Sequence, residues 1–349
     1  MRRITSLVKL FYDERQARHA PARELQDGEW APYAETPSRI GSILEQYGDC
    51  HPVHDFGMDP LLAVHDADYL TFLREAHGRW QAAGRPGDAI GYTFPIRGRR
   101  KLSLERIDAA LGAYAFDVGT PIAQGTWEAA YWSAQCALTA LDEIAAGARH
   151  AFALCRPPGH HAGADYMGGY CYLNNAAIAA RRAGTLGLGP VAILDVDYHH
   201  GNGTQDIFLR DPRVLFASIH ADPATDYPFY WGHADERGED QGTGTTLNLP
   251  LARGARWPDY SLALRTALEA IDAWGAAMMV VSFGADTFVR DPISHFALER
   301  EDYCRLGAAI GELRRPTLVV MEGGYAVSEL GSNVAAFLDG LTCPGSGTG

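Results

Sequence analysis

Two aspartates and two histidines stand close together in residues 194–204, which read LDVDYHHGNGT. The stretch continues an apolar run, GPVAI, and is predicted to be the end of a β-strand. Because strand side chains alternate between two faces, Asp195, Asp197 and His199 are expected to share one face. Two carboxylates and an imidazole are costly on a buried face, and a divalent ion such as Zn²⁺ would remove that cost. The alternative is a solvated cluster of acidic and imidazole side chains at an exposed strand end.

The elements that must position this cluster are predicted from apolar patterning. Short runs rich in β-branched residues predict buried strands, and longer segments with helical spacing predict the helices between them. The strands are expected at 151–155, 191–197, 214–221, 277–286 and 317–325, and helices at 125–147, 261–276 and 300–313. This alternation predicts an α/β fold with a parallel, doubly wound sheet. Ligands of such sheets bind beyond the carboxyl ends of the strands, where four of these runs are followed by polar or glycine-rich residues. That arrangement favours the metal site.

Composition excludes several classes of function. The chain has 349 residues, 47% of them hydrophobic, which is enough to bury a large core, and a net charge of −13, which argues against a nucleic-acid partner. No apolar run reaches the length of about 18 residues that a membrane span needs, so no membrane partner is expected. The six cysteines include no C-x-x-C pair, and the N-terminus lacks the apolar core of a signal peptide. These features predict free thiols and a cytoplasmic location.

Five blocks of the sequence carry a resemblance to a known family. They are CRPPGHHAG at 155–163, GGYCYLNNAAIA at 168–179, LDVDYHHGNGTQDIF at 194–208, SFGADTFVRDPI at 282–293 and VVMEGGY at 319–325. These blocks resemble those of the zinc-dependent deacetylases, the histone deacetylase family, and within it the acetylpolyamine amidohydrolases. The resemblance implies an arginase–deacetylase-like sheet of about eight strands in a single catalytic domain over residues 1–342. The Gly/Ser-rich residues 343–349 are expected to be a disordered tail.

The resemblance also implies roles for individual residues. Asp197, His199 and Asp286 match the ligands of a catalytic zinc ion, with Fe²⁺ or Co²⁺ as alternative metals. His160 and His161 match a catalytic pair, with His161 as general base, His160 as its electrostatic partner and a candidate proton donor, and Asp195 and Asn202 as their respective partners. Tyr325 matches the tyrosine that stabilises the oxyanion.

A tunnel for a thin substrate is implied by the same resemblance. Gly169, Tyr170 and Tyr227 match its walls. Glu24, in a polar and proline-punctuated segment at 13–38, matches an acidic residue at its mouth. That segment is expected to be a long loop that narrows the entrance and contacts a second subunit in a homodimer. A second acidic position at the mouth corresponds to Gly119, and Asp117 is the candidate to replace it.

Potassium is the second cofactor that the resemblance implies, as a structural ion at two positions. An inner site would use Asp195, Asp197, His199, Ser218 and Ile219. An outer site would use Phe208, Asp211, Val214 and Thr245.

The expected reaction is hydrolysis of a small N-acylated amine, with an acetylpolyamine as the first candidate. Other small amides, including xenobiotic ones, and acetyl-lysine peptides are alternative substrates. An arginase-like ureohydrolase would need carboxylates bridging two metal ions, and the position two residues before Asp286 is Gly284. A protein that only binds acylated ligands is disfavoured because His160, His161 and Tyr325 all match.

Overall fold

A seven-stranded parallel sheet forms the centre of the computed structural model, which describes residues 8–26, 28–47, 50–95, 102 and 104–343. The strands are numbered in chain order, and across the sheet they follow one another as β1 (Lys9–Phe11), β4 (His150–Ala153), β9 (Thr317–Met321), β8 (Met278–Phe283), β5 (Val191–Asp195), β6 (Val214–Ala221) and β7 (Thr246–Leu251). The chain order reverses between β9 and β5, so polar segments after several strands meet at one edge.

Helices cover both faces of this sheet. In the described residues they are α1 (Ser38–Tyr47), α2 (Asp59–Leu62), α3 (Ala67–Ala82), α4 (Ile107–Ala113), α5 (Thr126–Ala145), α6 (Asn175–Thr185), α7 (Asn202–Phe208), α8 (Trp257–Trp274), α9 (Arg300–Glu312) and α10 (Val327–Thr342). Alternate strand residues enter two separate cores. In β5, Val191 and Ile193 pack in one core, whereas Ala192 and Leu194 pack in the other. This two-sided burial explains why the strands read as continuous apolar runs.

The predicted α/β class and parallel sheet are confirmed, as are the five predicted strands and three predicted helices within a few residues. The described part of the sheet has seven strands where the resemblance implied about eight. The two strands not anticipated from patterning are β1, which has only three residues, and β7, which contains Pro250. Cys343 apart, the expected disordered tail lies outside the described residues.

The N-terminal segment 13–38 differs from the long loop expected for it. It contains a 3₁₀ helix, Glu14–Arg18, and an antiparallel hairpin of β2 (Arg23–Gln26) and β3 (Glu29–Pro32). The hairpin is only partly covered by the rest of the chain, so its strands lack the apolar alternation that marks a half-buried strand.

Neither a membrane-crossing helix nor a disulfide was expected. None of the described helices is both long and apolar enough to cross a bilayer. All six cysteines are free of disulfide bonds.

Candidate active site

The three candidate metal ligands converge at the carboxyl edge of the sheet. Donor atoms of Asp197, His199 and Asp286 all lie within 4.8 Å of one another. The convergence was expected, but its reason differs from the strand alternation that predicted it, since β5 ends at Asp195. Beyond that residue the chain turns: the Asp195 carboxylate accepts the Asp197 N–H at 3.1 Å, and the Asp197 carboxylate accepts the His199 N–H at 2.9 Å. These turns, and not the pleat, set the side-chain directions.

Asp286 reaches the cluster from the segment after β8. Its Oδ2 lies 3.1 Å from His199 Nδ1, and its Oδ1 accepts the N–H of Tyr198 at 3.0 Å. Two glycines leave room for the carboxylates: a Cβ atom at Gly284 would lie 2.0 Å from Asp197 Oδ2, and one at Gly323 would lie 2.6 Å from it. An aspartate at position 284 would therefore collide with the existing ligands, which disfavours the ureohydrolase alternative.

The donor set fits a divalent cation. Asp197 and Asp286 are completely buried, and Asp197 Oδ2 also accepts the Gly323 N–H at 2.8 Å. Burial alone lowers the pKa of His199, but hydrogen bonds and charges from the two aspartates outweigh it and raise that pKa to about 10. The cluster therefore attracts positive charge strongly. Two carboxylates and one imidazole are donors that Zn²⁺, Fe²⁺ and Co²⁺ all accept, and three protein ligands leave a position open.

The two histidines that precede this site differ in their partners. His160 Nδ1 lies 3.0 Å from Asp195 Oδ2, whereas His161 Nδ1 lies 2.7 Å from the amide oxygen of Asn202. The rings are 4.0 Å apart between centroids. An amide oxygen only accepts, so His161 donates from Nδ1 and its Nε2 is left as a proton acceptor. Both predicted partnerships are therefore present in the structure.

The pKa values of the two histidines are shifted in opposite directions. Burial lowers the pKa of His160, but the charges of Asp195 and Asp197 outweigh burial and raise that pKa to about 10. Burial, together with the positive charge expected on His160 and His199, holds the pKa of His161 well below its ordinary value. This separation is the pattern by which neighbouring groups take acid and base roles.

A cavity of about 290 Å³ opens above the candidate metal ligands, at the small end of the usual range for ligand sites. Tyr325 contributes to its wall and is 8% exposed. Its ring lies 5.6 Å from that of Tyr170, between centroids, and its hydroxyl has no hydrogen-bond partner in the part of the chain that the structure describes. This hydroxyl is therefore free to donate to a ligand in the cavity.

Gly169 and Tyr227 also line the cavity. The Tyr227 ring meets the rings of His161 and His199 edge-on, with centroids 5.1 and 6.0 Å apart. Gly169 has a φ of +52°, and a Cβ atom there would lie 2.2 Å from the His161 ring. Only glycine satisfies both the left-handed backbone and this close approach. The structure thus places the three predicted wall residues, Tyr170 included, around one cavity.

Three rim positions predicted from the sequence also meet here. Glu24, on β2, is 2% exposed, and its Oε1 accepts the Ala34 N–H at 3.2 Å. Burial raises the pKa of Glu24, and hydrogen bonds from Tyr170 and Ala34 offset this only in part. The position of a Cβ atom on Gly119 would be 4.0 Å from Glu24 Oε2. Asp117 lines the same cavity, but its carboxylate accepts hydrogen bonds from neighbouring protein groups.

Two residues that sequence reasoning did not single out support the site from below. Glu322 Oε2 accepts the N–H groups of Gly159 and His160 at 2.6 and 3.1 Å, so it fixes the turn that carries the histidine pair. Arg156 donates to the carbonyls of Gln16 and His19 at 2.9 and 2.7 Å, which ties the N-terminal segment to the same turn. Both residues lie within the quoted sequence blocks, but nothing in their local pattern indicates these distant contacts.

The residues assigned to potassium lie near the ends of β5 and β6. Asp195 and Ser218 are directly opposite each other across these strands, and Ser218 Oγ lies 2.8 Å from His220 Nδ1. On the outer side, the carbonyls of Phe208 and Thr245 each accept one backbone N–H. Both potassium sites stay predictions.

Comparison with known proteins identifies relatives along nearly the whole chain. A family model described as "Histone deacetylase domain" matches residues 34–341. "Acetylpolyamine amidohydrolase 2" of Pseudomonas aeruginosa is 48% identical over 96% of this chain and 98% of its own length. "Acetylpolyamine amidohydrolase 1" of the same organism is 51% identical over 94% and 97%. A crystal structure of an acetylpolyamine aminohydrolase from Burkholderia pseudomallei superposes with a TM-score of 0.92 at 37% identity, covering 99% of this chain and 100% of that one.

Proposed function

Because the chain belongs to the histone deacetylase family, we propose that it is a metal-dependent amidohydrolase that removes the acyl group from small N-acylated amines, and from acetylpolyamines in particular. The observation that carries the proposal is the convergence, at one small cavity, of three metal-ligating side chains, two differently partnered histidines and a tyrosine hydroxyl free to donate. A protein that only binds acylated ligands would not need this set.

Asp197, His199 and Asp286 would hold the catalytic ion, for which zinc is the first candidate and Fe²⁺ or Co²⁺ the alternatives. Such an ion supplies Lewis acidity, which polarises an amide carbonyl and lowers the pKa of a water molecule. Gly284 and Gly323 keep the space around the ligands free of other side chains.

The histidine pair handles the protons. Asn202 keeps the Nδ1 proton of His161 in place, so His161 Nε2 takes a proton from the attacking water as general base. Asp195 holds the ring of His160 and favours its protonated form, so His160 stabilises negative charge beside the reacting carbonyl. The proton then passes from a histidine Nε2 to the nitrogen of the departing amine, which leaves as a neutral amine.

Tyr325 and Gly169 orient the amide. The Tyr325 hydroxyl donates to the carbonyl oxygen as negative charge develops on it, which is the interaction that an oxyanion site provides. The Gly169 carbonyl would accept the amide N–H of the substrate. The rings of Tyr170 and Tyr227 enclose the alkyl chain and exclude water from the reacting groups.

The preference for a polyamine derives from charge and width at the cavity mouth. Glu24 presents a carboxylate to the cavity, where a distal ammonium group of the substrate would pair with it. The hairpin of β2 and β3 carries this residue and narrows the entrance. The names of the relatives support the same substrate class. The chain's net charge of −13 adds a weak, salt-dependent attraction for cations.

A substrate panel tests this proposal directly. N-acetylputrescine, N-acetylcadaverine, N1-acetylspermidine, a histone-tail acetyl-lysine peptide and the uncharged N-pentylacetamide would be compared on one zinc-loaded preparation. We expect the highest kcat/KM for one of the acetylated polyamines and the lowest for the peptide. If the peptide is the better substrate, small-amine specificity is wrong. If only the uncharged amide is hydrolysed, the enzyme is an amidase for other small amides.

Two further features belong to this proposal. Potassium would bind at the inner and outer sites named above, and thermal unfolding in potassium compared with choline chloride tests that binding. A homodimer would form through the N-terminal hairpin, whose Trp30 is 52% exposed and pairs with Leu25, a residue that lines the cavity together with the exposed Phe229. Light scattering of the intact protein and of Trp30→Ser tests the dimer, with a monomeric wild-type protein as the contradicting result.

A further inference from the structure

Three of the hydrogen bonds that the Asp117 carboxylate accepts connect residues around the cavity. Its Oδ2 accepts the backbone N–H of Gly169 at 2.7 Å and the hydroxyl of Tyr227 at 2.8 Å. Its Oδ1 accepts the hydroxyl of Thr120 at 3.0 Å. Gly169 and Tyr227 both line the cavity that a substrate chain would occupy. One carboxylate therefore holds together two lining residues that are far apart in sequence.

The third bond extends the connection to Tyr170. The backbone of Tyr170 has a φ of +67°, a left-handed conformation that is unfavourable for a bulky residue. Its N–H donates to Thr120 Oγ1 at 3.0 Å, and the same hydroxyl donates to Asp117. Asp117 thus supports, through Thr120, a strained residue whose ring forms part of the cavity.

Neighbouring contacts hold the segment that carries Asp117 in place. The Phe116 ring stacks on the Tyr227 ring with centroids 5.8 Å apart, and the Phe116 N–H donates to the Met167 carbonyl at 3.1 Å. A Cβ atom at Gly168 would lie 2.1 Å from the Phe116 ring. We call residues 116–120 the strap. It packs against residues 167–170 on one side and against Tyr227 on the other.

From these contacts we propose that Asp117 is a positioning residue that sets the width of the substrate tunnel, and that it does not read the charge of the substrate. The proposal deepens the proposed function and rests on it. Both oxygens of the Asp117 carboxylate accept hydrogen bonds that connect residues around the cavity. Glu24 Oε1 accepts the N–H of Ala34 beside it on the N-terminal segment, and Glu24 lines the same cavity. Charge selection therefore belongs to Glu24, and exclusion of wide substrates belongs to the strap.

Asparagine and alanine at position 117 separate these two roles. In Asp117→Asn, the amide oxygen can accept from Gly169 and Tyr227, and the amide nitrogen can donate to Thr120 Oγ1. This variant removes the charge but keeps the connections. Asp117→Ala removes both. Tyr227→Phe removes only one of the three donors and is the intermediate case should the alanine variant fail to fold. Glu24→Gln is the control for charge.

Three amides give the two readouts on the full-length, zinc-loaded enzyme. The ratio of kcat/KM for N-acetylputrescine to that for N-pentylacetamide measures the preference for a charged substrate, and we call it the charged-to-neutral ratio. The ratio of kcat/KM for the branched N-(2-ethylbutyl)acetamide to that for N-pentylacetamide measures how well the tunnel accepts a wide substrate, and we call it the wide-to-thin ratio. Loss of a buried acceptor that organises two walls is expected to raise the wide-to-thin ratio of kcat/KM by about tenfold in Asp117→Ala. The charged-to-neutral ratio should change by no more than about twofold there, and Glu24→Gln should lower it by about tenfold.

Asp117→Asn should keep both ratios close to those of the wild-type enzyme, and Tyr227→Phe should raise the wide-to-thin ratio less than the alanine variant does. A fall in the charged-to-neutral ratio of Asp117→Asn like that of Glu24→Gln would overturn the proposal, because Asp117 would then read charge. An unchanged wide-to-thin ratio in Asp117→Ala, or in Tyr227→Phe if the alanine variant does not fold, would overturn it as well.

Calorimetry with a linear and a branched alkyl hydroxamate keeps this test separate from the proposed function. These compounds bind metal sites without being hydrolysed. The branched compound should gain affinity relative to the linear one in Asp117→Ala. If the wild-type enzyme hydrolyses none of the amides, the proposed function fails, while the hydroxamate pair still decides whether Asp117 sets the tunnel width.

Discussion

The floor and the mouth of the cavity are built in different ways. The floor, formed by the metal ligands and the histidine pair, consists of turns directly after strands β4, β5 and β8, and each side chain is locked by its neighbours. The mouth is assembled from β2, the strap and the segment around Tyr227, none of which belongs to the central sheet. The floor therefore determines which reaction occurs. Substitutions at the mouth can change which substrate is preferred without disturbing the floor. Changes at the floor should affect every substrate alike, and changes at the mouth should affect substrates relative to one another.

Asp286→Ala should have the largest effect, because it removes one of the three side chains that would hold the catalytic ion. Loss of residues that merely orient a ligand lowers metal affinity by about 10- to 100-fold, so loss of the ligand itself should exceed that. We expect one zinc ion per wild-type chain by elemental analysis, less than about a tenth of that in the variant after dialysis, and no measurable hydrolysis of any amide.

Asp272→Ala is the matched control, since Asp272 is a surface aspartate whose carboxylate pairs with Arg315. It should keep its zinc. Two transition-metal ions per wild-type chain would contradict the mononuclear site, and a full zinc content in Asp286→Ala would remove this residue from the ligand set.

Tyr325→Phe should come next in size. Without the hydroxyl, the developing oxyanion loses a donor, and kcat should fall by roughly 10²- to 10³-fold for every substrate with little change in KM or zinc content. Tyr47→Phe is the control, because Tyr47 is 2% exposed and its hydroxyl is buried without a hydrogen-bond partner. That change should leave kcat unaltered. A kcat close to wild type in Tyr325→Phe would exclude the tyrosine from the reaction.

The floor could be predicted from the sequence because its residues lie in continuous blocks at strand ends. Asp195, Asp197 and His199 are adjacent along the chain, and the parallel sheet brings Asp286 to the same edge. Only the reason for their directions was misjudged: backbone N–H groups bonded to the carboxylates replace strand alternation after Asp195. Residues that are close together in these sequence blocks are therefore also close together at the floor of the cavity.

The mouth could be predicted only in part, because its contacts join segments that are distant in sequence. Glu24 and Gly119 are neighbours in space although 95 residues separate them along the chain. The hairpin that carries Glu24 has no apolar alternation to reveal it. The bonds from Arg156 that anchor this segment run from a buried side chain to backbone carbonyls, which leave no signature in residue type.

Acidification is expected to have a smaller effect on the preference between substrates, and this effect should arise at the mouth. Burial raises the pKa of Glu24 above its ordinary value, so the carboxylate becomes neutral at a higher pH than an exposed glutamate does. Attraction for a substrate ammonium group is present above this raised pKa and is lost as the pH falls through it. The KM of N-acetylputrescine should therefore rise on acidification relative to that of N-pentylacetamide.

The ratio of the two KM values cancels effects of pH on the metal and on the histidines, since these act on both substrates. In Glu24→Gln the preference for the charged amide should be weaker than in the wild-type enzyme at neutral pH, and the ratio should not change with pH. A ratio that follows the same pH profile in the variant would assign the titration to another group.

Gly119→Glu should give the smallest effect and tests whether the mouth can be altered alone. A Cβ atom at this glycine would meet nothing closer than Glu24 Oε2 at 4.0 Å, and its backbone is outside the left-handed region, so a side chain can be added without strain. A second carboxylate beside Glu24 should favour a substrate with two ammonium groups. Because an exposed charge pair contributes at most about 1 kcal/mol, we expect kcat/KM for N1-acetylspermidine to rise by no more than about fivefold relative to N-acetylputrescine. Gly119→Gln adds similar bulk without charge and should not change this ratio. An equal loss for both substrates in both variants would mean that Gly119 provides width, and that the mouth and floor are less independent than their construction indicates.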